Sequence, residues 1–385
     1  MNHPIISADG HIDLPVLPES LWRENAPAAL RERMPRIVEK PHGRVWVSAK
    51  GKELGLVGGM GSAGRPYVPG EIHRSDRMAE AGLFRDQAAG IMRTSIPELR
   101  VRDQERDGIS GEVVYGILGA GARLDDDEVC ASMVHTYNAW LSEFCAKAPG
   151  RFAGIGCLAH GDPPRAAAEI QRCARLGLAG VELGMTPDML PLWHDDWEPI
   201  WRAASETGLP VHLHTTGPRT DPRWMGNPAT YRRWLATHMC AFQVPMYGVL
   251  SAILFGGAPE RYPDLRFVMG ECGIGWLPYA IERLDYEWED QFQDIIPRRP
   301  SEYWRRQFYA TFQIDRVGLV NLERIGADNV MWGSDFPHPD GTWPDSLEIL
   351  RPQLDGVSAE DQRKILFENA ARLYHFPIAE LASQS

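Results

Sequence analysis

Two hydrophobic periods alternate along this chain. Strand-like apolar runs fall at Pro4–Ala8, Glu112–Ile117, Phe152–Leu158, Ala179–Leu183, Pro210–His214, Arg266–Glu271, Phe308–Phe312 and Asn329–Ser334. Between them, apolar residues spaced by three and four predict helices over Glu128–Ala148, Pro164–Leu176, Asp196–Thr207, Gln243–Tyr262, Gly275–Asp290, Asp315–Ile325 and Ala359–Tyr374. Several of these helices carry the expected punctuation. Asp162 precedes Pro163-Pro164, and Gly177 and Gly208 follow helix ends. Strand–helix alternation implies a parallel sheet, and eight such units predict a distorted (β/α)8 barrel, with an open doubly wound sheet as the alternative. No linker divides residues 1–385, so one domain is expected.

Residues 17–108 interrupt the alternation after the first strand. A structureless loop of that length is improbable, so the segment is expected to be a partly helical insertion lying like a lid over one end. Arg77–Gln87 and Leu99–Asp107 look helical. Gly55–Gly64 is Gly-rich but follows no clear strand, which suits a turn-rich stretch better than a phosphate loop.

Composition narrows the class. At 44% hydrophobic and 24% charged, the 385 residues can bury a large core. The formal charge of −12 argues against nucleic acid or an anionic membrane as partner, since both need a basic footprint. Six scattered cysteines without a C-x-x-C suit reduced thiols, and no run of eighteen apolar residues occurs. A cytoplasmic protein acting on a small molecule is expected.

The candidate chemistry collects at strand ends, where a barrel places its active site. The first strand ends in Asp9 and His11, the fifth in His212 and His214, the sixth in Glu271, and the eighth in Asp335, followed by His338. Within each of the first two pairs the residues are two apart, so both side chains share one face of a strand. Two imidazoles and several carboxylates converging inside a barrel make an N/O site for one divalent metal. That set suits zinc first, with manganese also compatible, and leaves room for water or substrate. Each residue taken singly has a structural reading as a cap, a turn former or a core histidine. Their conjunction at one end of the barrel favours the metal.

The chain resembles the amidohydrolase-related metal enzymes of the aminocarboxymuconate-semialdehyde decarboxylase type. The resemblance rests on S-A-D-G-H at Ser7–His11, R-D-G-I-S-G-E-V-V-Y-G at Arg106–Gly116, L-P-V-H-L-H at Leu209–His214, F-V-M-G-E at Phe267–Glu271, W-G-S-D-F-P-H at Trp332–His338 and E-N-A-A-R-L-Y at Glu368–Tyr374. It implies metal ligation by Asp9, His11, His214 and Asp335, with Asp9 standing where the family usually has His or Glu. It also implies that Asp335 can accept a proton, that His212 lies beneath the ligands, and that the enzyme is a homodimer. Glu271 departs from the pattern, because decarboxylases of this group usually carry His there. A carboxylate at that position suits a general base for water, so hydrolysis of a small carboxylated, cyclic or aromatic-derived substrate is the leading expectation. Non-oxidative decarboxylation of a hydroxybenzoate- or muconate-like acid is the alternative, and a catalytically inactive ligand-binding barrel comes third. Asp335, Glu271, His338 and His212 are the expected catalytic groups. Arg219 and Arg223, in the loop after the fifth strand, are candidates for binding a substrate carboxylate.

Overall fold

A computed structural model describes residues 3–121, 123–124, 126–159, 161–185, 189–215 and 227–378. Arg219 and Arg223 lie outside the described residues. Eleven strands are seen among those described: β1 (Ile6–Ser7), β2 (Arg36–Lys40), β3 (Gly43–Val47), β4 (Glu53–Leu56), β5 (Gly111–Val114), β6 (Phe152–Leu158), β7 (Gly180–Leu183), β8 (Val211–His214), β9 (Phe267–Gly270), β10 (Phe308–Phe312) and β11 (Val330–Trp332). Eight of them form one parallel sheet in the order β1-β5-β6-β7-β8-β9-β10-β11. The two ends of the sheet meet where Ala8 N donates to Trp332 O at 2.8 Å and Asp335 N to Asp9 O at 2.9 Å. The molecule is a (β/α)8 barrel, as the alternating periods predict.

Its interior is packed in layers. Ile6, Val113, Ala153, Ile155, Val268 and Met331 fill the barrel, and the last helical segment, with Phe367, Ala370 and Tyr374, closes the end opposite the strand termini. Between sheet and helices, Trp304, Phe308 and Phe267 stack in turn, and Trp201 meets Phe267 edge to face. Acidic and hydroxyl caps start the surrounding helices as the sequence signals require. Asp126 accepts from Val129 N, Asp162 from Arg165 N and Asp315 from Gly318 N.

The insertion is partly helical and also holds a sheet its sequence does not signal, in which β2, β3 and β4 pair antiparallel. Its α-helices are Leu21–Asn25, before that sheet, and His73–Glu80, Leu83–Ala88 and Pro97–Arg106 after it, with Gly82 in the left-handed region (φ 84°) breaking the stretch expected to be continuous. Met78, Ala81 and Leu83 pack on Phe336 and Trp343 of the segment after β11. Arg74 and Arg77 reach Asp345 there at 2.8–3.0 Å. Among the described residues no single helix is long and apolar enough to cross a membrane.

Candidate functional site

Strand geometry brings the predicted residues together. Asp9 and His11 follow β1, His214 ends β8, and Asp335 begins the turn after β11; all four are buried. His11 Nε2 lies 3.3 Å from Asp9 Oδ1 and 3.2 Å from Asp335 Oδ1, while His214 Nε2 lies 3.4 Å from Asp9 Oδ1. Asp9, His11 and His214 each offer a ligand atom within 4.8 Å of the others, as do His11, Asp335 and His338. Despite this crowding, His11 Nε2 and both Asp335 oxygens are buried with no hydrogen-bond partner among the described residues. Buried polar atoms are normally satisfied. Converging N and O donors, three of whose atoms are left unsatisfied, fit a cation of the hard-to-borderline class.

The surrounding groups fix this arrangement. The Thr311 hydroxyl accepts from Glu271 N at 2.7 Å and donates to Asp9 Oδ2 at 3.2 Å, joining three strand ends. Glu271 and Asp335 both adopt the left-handed backbone region, at φ 50° and 57°. Non-glycine residues seldom occupy that region, and they concentrate at functional sites where the surroundings hold them. Glu271 accepts from the Thr215 hydroxyl at 3.0 Å and lies 3.6 Å from His214 Nδ1. It also forms a group with Asp335, His338 and Asp340 whose ligand atoms lie within 4.8 Å of one another.

His338 has a partner that sequence reasoning did not single out. Its Nε2 meets Asp13 Oδ2 at 2.8 Å, leaving Nδ1 3.1 Å from Asp335 Oδ1. Asp13 stands two residues beyond His11, so the Asp9-x-His11-x-Asp13 alternation was its signal. His212 sits one layer down, its Nδ1 2.7 Å from the Tyr115 hydroxyl and its ring over Tyr374. It is therefore beneath the converging donors. Glu182, at the end of β7, faces the same interior, and its Oε2 has no hydrogen-bond partner among the described residues.

Electrostatics divide the site into paired and unpaired groups. Burial alone would raise Asp9, but the facing His214 charge and contacts from His11 and His214 hold its carboxyl far below the usual range. Burial opposes charge on His214 and His338, yet the adjacent carboxylates win, Asp9 for the first and Asp335 with Asp13 for the second, and hold both well above an ordinary imidazole. The unpaired groups go the other way. Burial, assisted by Asp335, pushes Glu271 well up; burial also lifts Glu182 to about 7 and, with His214 nearby, lowers His212 to about 3. Without a cation, the imidazoles hold protons to balance the carboxylates. A divalent ion would displace the protons only of the imidazoles that ligate it.

Comparison with known proteins places this geometry in a family. The amidohydrolase family model matches residues 94–376. Gamma-resorcylate decarboxylase from Polaromonas sp. is 26% identical over 336 residues, covering 79% of this chain and 98% of its own. The decarboxylase orsB of Emericella nidulans is 29% identical over 299 residues, covering 70% and 86%. Among solved structures, an amidohydrolase from Mycobacterium avium subsp. paratuberculosis superposes with a TM-score of 0.73 at 18% identity, covering 97% of this chain and all of its own, and so shares the fold. A 5-carboxyvanillate decarboxylase from Novosphingobium aromaticivorans, complexed with manganese and 4-hydroxy-3-methoxy-5-nitrobenzoic acid, has a TM-score of 0.59 at 25% identity, covering 72% and 79%. By its barrel, its converging N/O donors and a match over most of its length, this chain belongs to the amidohydrolase family.

Proposed function

We propose that the protein is a metal-dependent carboxy-lyase that removes CO2 from a hydroxylated aromatic acid. This reverses the order of the two reactions expected from Glu271. The observation that favours it is His338: buried, held through Nε2 by Asp13 at 2.8 Å, with Nδ1 3.1 Å from Asp335 Oδ1. Relatives that are decarboxylases add support.

Asp9, His11, His214 and Asp335 are the residues that would hold one divalent ion. Manganese is favoured over zinc by the ion in the related decarboxylase structure. When bound, such an ion supplies a Lewis acid for the substrate carboxylate and an adjacent oxygen. The chain's own groups then handle the proton. His338 donates it to the ring carbon that bears the carboxylate. The carbon–carbon bond breaks, its electron pair returns to the ring, and CO2 leaves. Asp335 and Asp13 keep His338 protonated and aligned for that transfer. His212 and Tyr115 support the donors from below by their mutual hydrogen bond. The insertion, tied to the segment after β11, serves as a lid that shields the site from water.

Hydrolysis keeps one favouring observation, the carboxylate of Glu271 beside His214. A panel of hydroxybenzoic acids and of their esters and amides, followed by mass spectrometry, separates the two. Loss of 44 Da from free acids (the mass of CO2) supports the lyase. Turnover confined to esters or amides would replace it with the hydrolase.

A further inference from the structure

A buried ion pair remains that the proposed reaction does not use. Arg100, on the insertion helix Pro97–Arg106, and Glu112, on β5, are 0% and 1% exposed. Arg100 spends all five of its N–H groups. Nε and Nη2 form a two-point contact with Glu112 at 2.8 and 2.6 Å; Nη1 donates to His11 O at 2.9 Å and Thr94 O at 3.0 Å; Nη2 also donates to Phe336 O at 3.2 Å. The guanidinium lies 5.0 Å from the centre of the Phe336 ring. Gln104 supplies Glu112 with a further donor at 2.6 Å and is itself held by Arg151. Gly10 is tight against this carboxylate, since any side chain there would collide with Glu112.

The carbonyls that Arg100 grips identify its task. Besides that of Thr94, within the insertion, one belongs to His11 and one to Phe336, next to Asp335. The same Phe336 carbonyl accepts from His11 N at 2.7 Å. Both ligand-bearing turns, from opposite ends of the chain, therefore hang on one guanidinium. A buried ion pair is a poor source of net stability, because desolvation cancels much of its attraction and apolar residues can do as well. A planar fork of fixed geometry does fix distances. We infer that Arg100, locked by Glu112, is a positioning residue: it sets the separation of the Asp9–His11 and Asp335–His338 turns and so tunes the affinity of the metal site. The inference rests on the metal reading above.

The test is Mn²⁺ titration of metal-stripped protein, read by equilibrium binding and by the electron paramagnetic resonance spectrum of the bound ion. Arg100→Lys keeps the charge but loses the fork. It should weaken Mn²⁺ binding at least about tenfold, the range seen when groups supporting metal ligands are removed, and alter the spectrum. Gln104→Leu, which leaves Arg100 in place, should weaken it about threefold and carries the test if Arg100→Lys does not fold. Ile170→Ala, a core change in a helix remote from the site, should lower the melting temperature and leave Mn²⁺ affinity within twofold. If Arg100→Lys and Gln104→Leu melt earlier but keep the wild-type affinity and spectrum, Arg100 is merely structural and the inference is wrong. A wild-type protein that binds no Mn²⁺ overturns the metal reading and this inference together.

Discussion

Asp13→Asn isolates the proton-handling part of the site. The substitution is nearly isosteric, so packing should survive, but the carboxylate that holds His338 Nε2 at 2.8 Å becomes neutral. Both partners are largely buried, with side chains 8% and 11% exposed, so water screens the contact little. A hydrogen bond to a charged group is worth about 1.5–3 kcal/mol against about 0.5–1.5 for a neutral one. Exchanging the charged bond for a neutral one therefore costs roughly 1–1.5 kcal/mol in the proton-transfer step, and each 1.4 kcal/mol is about tenfold in rate. We expect kcat to fall about 5- to 10-fold. KM and Mn²⁺ affinity should stay within about threefold, since Asp13 is not among the four proposed ligands. Initial rates of CO2 release at saturating Mn²⁺ give kcat and KM, and a parallel titration gives the metal affinity. If kcat stays within twofold of wild type, His338 is not the proton donor that Asp13 orients. If the loss lies in metal affinity instead, Asp13 acts on the ligands.

Two further perturbations address separate links. Asp335→Asn should lower turnover by about a thousandfold or more, because it removes both a proposed ligand and a partner of His338; circular dichroism should show the fold retained, and wild-type rates would sink the assignment. Asp107 tests stability against pH away from the site. It is buried, one oxygen accepts from Ser346 N at 2.9 Å and the other has no partner among the described residues, and burial lifts it from 3.8 to about 7. Between those values the folded protein keeps this proton and the unfolded chain does not. Asp107 should therefore make stability fall as pH rises through that window, by up to about 1.4 kcal/mol per pH unit. Urea unfolding from pH 4 to 7 should show a flatter profile in Asp107→Asn, and an unchanged slope would contradict the reasoning.

The parts of this protein legible in its sequence were those governed by local periodicity. β6 and β10 run over the residues their apolar runs predict; the other barrel strands have trimmed ends, because a barrel strand stops pairing before its apolar run stops, and β5 also begins one residue early, at Gly111. The pairs Asp9–His11 and His212–His214 were legible for the same reason, since a two-residue spacing fixes a shared face. What stayed hidden depends on contacts across the chain. Arg100 and Glu112 are twelve residues apart with no local spacing that pairs them, while the carbonyls that Arg100 holds follow the first and last strands of the barrel. The insertion sheet β2–β3–β4 went unseen because its strands are short and half-exposed, with burial set by neighbours rather than by pattern. Glu182 carries no local signal, because only closure of the barrel turns it towards the histidines.

The most direct test of the proposed activity is decarboxylation in D2O with ring-carboxylate-labelled hydroxybenzoic acids, using metal-stripped and Mn²⁺-reloaded protein. The carboxy-lyase reading predicts labelled CO2 only from the reloaded protein, in step with an arene carrying one deuterium at the carbon that lost the carboxylate. Labelled acids that survive intact under the conditions where esters or amides are cleaved, or CO2 release that is indifferent to the metal, would contradict it.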